Sequence, residues 1–154
     1  MRLYFAFGAN MEIEGMSRRC PGAPALGVAR LDDYRFAIVH PGFATVIPAI
    51  GSVVHGVLWR LGSRELAVLD AYENIASGLY SRAEKPVRQG TRTLRALTYF
   101  VRHPRAGRAR PGYLEDCVLP AARHWKLPAA YIRSLEAFIV APGVRVRWSE
   151  TKPV

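Results

Sequence analysis

Between residues 25 and 60 the chain is a succession of β-rich pieces, 26–31, 34–40, 44–47 and 52–60, broken at Pro41-Gly42 and at Pro48. Branched and aromatic side chains recur in them, and proline and glycine punctuate them, so consecutive, mostly antiparallel strands are predicted. Residues 3–8 form an apolar, aromatic run ending in glycine, which predicts a buried first strand. Asn10 is placed to cap a short helix running to Arg19. Ser63 suits the N-cap of a helix whose Leu66, Leu69 and Tyr72 share one apolar stripe and which ends near Glu73 and Asn74. Residues 80–87 and 91–102 flank a Gln89-Gly90 turn and predict a hairpin, with Pro86 marking its first strand as interrupted or at an edge. Residues 113–125 read as helix with Pro120 as a kink. Pro128 suits the first turn of a last helix that buries Tyr131, Leu135, Phe138 and Ile139. The expected fold class is α+β: a small mixed, mostly antiparallel β-barrel-like core with flanking helices, although the pattern does not decide whether the sheet closes.

Half of the 154 residues are hydrophobic, enough to bury one core, and a single domain spanning 1–154 is expected. The N-terminus has one arginine and then only a few apolar residues, without signal-peptide organisation, and no stretch is long enough to span a bilayer. A cytoplasmic protein without a membrane partner is the expectation. Cys20 and Cys117 lie far apart with no CxxC spacing, so neither a disulfide framework nor a zinc knuckle is predicted.

The formal charge of +10 can attract nucleic acid, anionic membrane or acidic small molecules. The excess is almost all arginine, Lys85, Lys126 and Lys152 being the only lysines. This bias is compatible with genome composition as well as with a partner. Its densest stretch sets Arg102, Arg105, Arg108 and Arg110 among prolines and glycines, which reads as a solvated loop.

His40, His55, His103 and His124 stand singly, without HxH, HExxH or cysteine partners, so no metal site is predicted. The chain has no GxSxG elbow, no GxxxxGK[ST] loop and no GxGxxG turn, which removes the mechanical parts of serine hydrolases, nucleoside triphosphatases and dinucleotide enzymes. Cys117 and His124 can share a helix face, yet nothing supplies the orienting third group of a nucleophilic triad. No cofactor is expected.

Two features remain. The turn Tyr4, Phe5, Ala6, Phe7, Gly8, Ala9, Asn10 can present successive backbone N–H groups to a carboxylate or an oxyanion, or can be a plain strand-to-helix turn. Glu73, beside Tyr72 at a helix end, can be a carboxylate held against aromatic groups and useful for proton transfer, or can simply be solvated, with Asp70, Glu84 and Glu115 as rivals.

YFAFGANM resembles the YFAYGSN(L/M) signature of γ-glutamylcyclotransferases and their AIG2-like relatives, and LDAYENIASGLY resembles that family's LDxxEGxxxGxY segment. The similarity runs in order along most of the chain. Residues 42–46 resemble a family strand, residues 54–59 its VxGVVW strand, and Tyr99 and Tyr113 fall where family tyrosines occur. The resemblance implies that an L-γ-glutamyl compound is cyclised to 5-oxoproline by attack of its own α-amino group, releasing an amine without any cofactor. It also implies that Glu73 is the catalytic acid and base. Tyr4, Phe5, Ala6, Phe7, Gly8, Ala9 and Asn10 would then form the substrate loop, joined by Tyr80, Tyr99 and Tyr113. Phe7 stands where the family has tyrosine, Ala9 where it has serine and Asn74 where it has glycine, departures that bear on substrate preference. The glutathione-specific branch opens closer to FGYGSL, so a γ-glutamyl amino acid or γ-glutamylamine is the implied substrate. Two rival readings are a non-catalytic γ-glutamyl-ligand binder of the same fold and a nucleic-acid binder using the arginine loop.

Overall fold

The computed structural model describes residues 1–139; residues 140–154 of the expected 1–154 domain, Lys152 among them, lie outside that description. Five strands close into a barrel in the order β1-β3-β2-β4-β5, where β1 is Arg2–Ala6, β2 Ala25–Val39, β3 Phe43–Leu61, β4 Ser81–Gln89 and β5 Arg92–Phe100. Every neighbouring pair is antiparallel except β1 with β5, which run parallel at Tyr4 opposite Leu97. The sheet is therefore the mixed, mostly antiparallel barrel of an α+β fold, and it does close. Among the described residues four α-helices flank it: α1 Ile13–Arg19, α2 Ser63–Tyr72, α3 Leu119–His124 and α4 Ala129–Glu136. Phe5, Phe43, Leu31, Leu58 and Leu61 are among its fully buried core side chains.

The four predicted pieces between residues 25 and 60 are two long strands. The register slips between Asp32 and Tyr34, where Asp33 takes φ 63° and its carboxylate accepts the Gly51 N–H at 3.0 Å. That irregularity bends the pair without ending it. Pro48, opposite Tyr34, occupies the last rung before the slip, a place where a strand tolerates a residue with no N–H. In β4, Pro86 pairs with Arg95 in an unbroken ladder, while the other side of the strand meets β2 only at Arg30 opposite Arg88. Neither alternative at Pro86 is realised as such: the strand is not interrupted, and in the closed barrel β4 lies between β5 and β2, joined to β2 by that single rung.

The helix ends differ from expectation at four points. The cap of α1 is Glu12, whose carboxylate accepts the Gly15 N–H at 3.2 Å, because a 3₁₀ turn at Ala9–Met11 displaces the helix start and turns Asn10 inward. Ser63 is the first helical residue and Gly62 the cap, its carbonyl taking the Leu66 N–H. Residues 113–125 are a π-helical turn, Tyr113–Val118, that runs directly into α3, with Pro120 in the first turn of α3 after the Leu119 N–H has bonded back to the Leu114 carbonyl. Pro128 caps α4, which ends at Glu136, ahead of Phe138 and Ile139; Leu135 is fully buried and the other three predicted side chains are half-buried.

The arginine loop exposes Arg102, Arg105 and Arg108, half-buries Arg110 over the Phe43 ring, and is pinned through its backbone. His40 donates to the Arg105 carbonyl at 2.9 Å and Arg110 to the Gly42 carbonyl at 3.1 Å. Gly107 lies so close that a Cβ there would come within 2.3 Å of the His40 nitrogen.

The tightest backbone approach in the barrel is at Gly56 of β3. A Cβ there would fall 2.2 Å from the Ala6 carbonyl oxygen and 2.9 Å from the Phe5 ring, so a side chain cannot enter without separating β3 from β1. Gly56→Ala should destabilise the protein toward the upper end of about 1–3 kcal/mol, read as a lower urea midpoint. A midpoint equal to wild type would contradict this packing.

Candidate active site

The cavity forms where β1 runs out and α2 ends. α2 stops because Asn74 adopts φ 54°, a left-handed conformation open to glycine and asparagine. Asn74 therefore satisfies the same backbone demand as the glycine expected at this position. The reversal turns Glu73, the last residue before it, inward to 7% exposure. Among the described residues it is the only buried residue of the Asp, Glu, His, Lys and Arg types.

A chain of polar contacts leads to it. Arg19 donates to the Asn10 side-chain oxygen at 2.6 Å, and the Asn10 amide nitrogen donates to the Tyr4 hydroxyl at 2.9 Å and, at 3.5 Å, to a Glu73 carboxylate oxygen. The Arg19 guanidinium also lies over the Tyr72 ring, 4.3 Å from its centre. Across the cavity the backbone of Ala44 holds two tyrosines: its carbonyl accepts the Tyr80 hydroxyl at 2.6 Å and its N–H donates to the Tyr113 hydroxyl at 3.3 Å. Tyr99 packs edge-on against Tyr4, and its hydroxyl donates to Asp70 at 2.6 Å.

Tyr4, Phe7, Gly8, Ala9, Asn10, Glu73, Tyr80, Tyr99 and Tyr113 line one cavity of about 330 Å³ including its open mouth, with Ala44 as the tenth wall residue. Gly8 has to be glycine, since a Cβ there would lie 2.7 Å from the Tyr113 oxygen. The structure keeps the other two predicted loop residues out of the cavity. β1 alternates faces, so with Tyr4 turned to Asn10 and Tyr99, Phe5 points the other way, fully buried against Gly56; Ala6 ends the strand with its carbonyl oxygen against the same glycine. Phe7 and Ala9 bring no hydroxyl to the wall.

The rival carboxylates have other positions. Asp70 is half-buried, holding Tyr99 and paired with Arg82; Glu84 is exposed and paired with Arg2 and Arg95; Glu115 lies in the π-helical turn outside the cavity wall. Sequence reasoning missed Ala44 and Arg19 as site residues. Ala44 acts through its backbone, which leaves no side-chain signal, and Arg19 is one arginine among many. Cys20 and Cys117 are buried thiols. Among the described residues no group of three or more His, Cys, Asp or Glu side chains could hold a metal ion, and no helix is long and apolar enough to cross a membrane.

Burial drives the Tyr4, Tyr80, Tyr99 and Tyr113 hydroxyls well above the ordinary tyrosine range. The negative charge of Glu73 adds to it at Tyr4 and Tyr80, and the bond to Asp70 at Tyr99. The cavity thus holds one buried carboxylate among hydroxyls that keep their protons, an arrangement suited to moving a proton beside a ligand held by neutral donors.

Residues 4–126 match the family model described as "Gamma-glutamyl cyclotransferase, AIG2-like". A protein from Homo sapiens named "Gamma-glutamylcyclotransferase" is 30% identical over 146 residues, covering 88% of this chain and 77% of that protein; the Bos taurus protein of the same name is 29% identical with the same coverage. A solved structure named "Gamma-glutamyl cyclotransferase" superposes with a TM-score of 0.87 at 26% identity, over 97% of this chain and 94% of that one.

The raised tyrosines give stability a definite pH dependence. Below about pH 10, the ordinary tyrosine value, folded and unfolded chains both hold these protons; above it the unfolded chain gives them up while the folded one does not. Stability should therefore fall as pH rises past about 10, and Tyr4, Tyr80 and Tyr113 should ionise only as the fold is lost. Tyrosinate absorbance followed beside far-ultraviolet circular dichroism checks this. Ionisation of every tyrosine with native dichroism intact would contradict it.

Proposed function

This chain belongs to the gamma-glutamyl cyclotransferase, AIG2-like family, whose members are enzymes, and we propose that it converts an L-γ-glutamyl amino acid or γ-glutamylamine into 5-oxoproline and a free amine. The observation that carries the reading is the seclusion of Glu73, a single carboxylate 7% exposed, in one cavity with the Gly8-Ala9 turn. A buried carboxylate has no reason to be retained for solubility, and it needs donors nearby to be tolerated.

In the proposed reaction Glu73 takes a proton from the α-ammonium, and the freed nitrogen attacks the γ-carbonyl carbon. The new C–N bond forms as the carbonyl π electrons move to oxygen, giving a tetrahedral oxyanion that the Gly8 and Ala9 backbone amides would stabilise. Glu73 returns the first proton to the leaving amine, the oxyanion collapses and the bond to that amine breaks, and the ring nitrogen's second proton passes by way of Glu73 to the amine, which leaves as its ammonium. Atoms and charge balance within one substrate, and the sequence of steps uses no metal or cofactor. Holding the substrate folded, nitrogen against carbon, is the larger task, and an aromatic cavity is suited to it. Tyr4, Asn10, Tyr80, Tyr99 and Tyr113 are proposed to bind the substrate's polar ends. Phe5 and Ala6 would act only by shaping the strand. We place the enzyme in the cytoplasm, as one domain over 1–154, acting on a small molecule and on neither membrane nor nucleic acid.

The missing hydroxyls at Phe7 and Ala9 favour a second reading, in which the cavity binds γ-glutamyl ligands without turning them over. Incubation with L-γ-glutamyl amino acids, γ-glutamyl-ε-lysine, simple γ-glutamylamines and glutathione, with 5-oxoproline measured by mass spectrometry, separates the two. Release is expected from at least one of the first three classes, and Glu73→Gln should bind that substrate but lower kcat by roughly two powers of ten or more. Binding without release by the wild type would favour the second reading, and near-normal turnover by Glu73→Gln would remove Glu73 from its role.

A further inference from the structure

We infer that Arg19, seated against the bare Cα of Gly15, is a positioning residue that fixes which way the Asn10 carboxamide faces and so presents N–H to Glu73 and Tyr4. The inference rests on the reading of Glu73 as the acid and base, and it concerns how that group is kept in place.

An asparagine side chain can turn over and exchange its oxygen for its nitrogen, so its orientation must be imposed by its neighbours. Arg19 imposes it. A guanidinium only donates, so the Asn10 atom 2.6 Å from it has to be the oxygen, and the amide nitrogen must face the cavity. There it reaches the Tyr4 hydroxyl at 2.9 Å and Glu73 at 3.5 Å. Tyr4 accepts this hydrogen bond, which leaves its own proton to be donated elsewhere in the cavity it lines. If the amide turned over, its oxygen would face the Glu73 carboxylate, setting two acceptors against each other.

The sequence carries a trace of this arrangement. Gly15 lies in the first turn of α1, where its backbone has no need of glycine, and glycine weakens a helix relative to alanine. A Cβ at Gly15 would lie 2.7 Å from the Arg19 Nη2, 3.1 Å from Nη1 and 3.2 Å from Cζ. Nη2 is the same atom that donates to Asn10. Glycine thus leaves the space in which the guanidinium lies, and the guanidinium is also held over the Tyr72 ring.

Two variants test this from opposite directions. Arg19→Met removes the donor, whereas Gly15→Ala keeps arginine and improves the helix but pushes Nη2 off Asn10. With the γ-glutamyl compound turned over fastest by wild type, kcat should fall about tenfold in Gly15→Ala and up to about a hundredfold in Arg19→Met, with KM changing less, and Arg19→Lys should recover part of the loss. Gly15→Ala should melt no lower than wild type, which a purely structural role for Gly15 and Arg19 would not allow alongside a loss of kcat. The side-chain amide resonances of Asn10, identified by their absence in Asn10→Asp, supply a readout independent of turnover and should move in both variants. Wild-type kcat in both, or activity losses that only follow lost melting temperature, would overturn the inference, as would Asn10 resonances that stay in place. If wild type releases no 5-oxoproline from any substrate, the proposed function fails on its own, and displaced Asn10 resonances would still uphold the positioning role.

Discussion

One carboxylate held out of water at the end of a helix is the constraint around which this end of the barrel is organised. Glu73 is buried and sits at the C-terminus of α2, where the helix dipole already places negative charge. Both circumstances work against an anion, and neither would persist in a site chosen for stability alone. The neighbouring groups offset the cost: the Asn10 amide faces the carboxylate, Arg19 stands behind Asn10, and Tyr4 and Tyr80 are near enough to feel its charge. Local rules broken at one place and compensated around it are what a functional site looks like in a folded chain.

The barrel serves this arrangement by bringing distant parts of the sequence to one mouth. β1 supplies Tyr4 and leads into the Gly8 turn, β3 supplies the Ala44 backbone, and β5, running parallel to β1, supplies Tyr99. The π-helical turn adds Tyr113 at its first residue. The hydroxyl of Tyr113 occupies the space a side chain at residue 8 would need, so the glycine of the turn and the tyrosine more than a hundred residues later are a matched pair.

Much of this was legible in the sequence, for physical reasons that differ from element to element. Strands show in alternation and turn residues, so the barrel's pieces could be read, but Pro48 marked a place where the strand could tolerate a missing N–H and was taken for a break. Its setting at a helix end left Glu73 among rival carboxylates, and the family resemblance singled it out and drew the tyrosines to it. The cavity then gathered nine of the predicted residues and left out Phe5, because a strand turns alternate side chains away from a site, and Ala6, whose carbonyl lies against Gly56 at the strand's end. Asn10 looked like a helix cap because its type caps well, yet the 3₁₀ turn after Gly8 spends it on the cavity and passes the cap to Glu12. Ala44 was invisible because its part is played by backbone atoms, and Arg19 because only the distances single it out from the other arginines.

The central claim is geometric: the reacting nitrogen must meet residue 73, and the carbonyl oxygen must meet the turn at Gly8 and Ala9. A crystal structure of Glu73→Gln with a γ-glutamylamine bound tests it most directly. The account predicts the ligand folded in the tyrosine-lined cavity, its α-amino group within hydrogen-bond distance of residue 73 and its γ-carbonyl oxygen on the Gly8 and Ala9 amides. A ligand bound there with its amino group turned away from residue 73, or bound at another surface of the barrel, would contradict it.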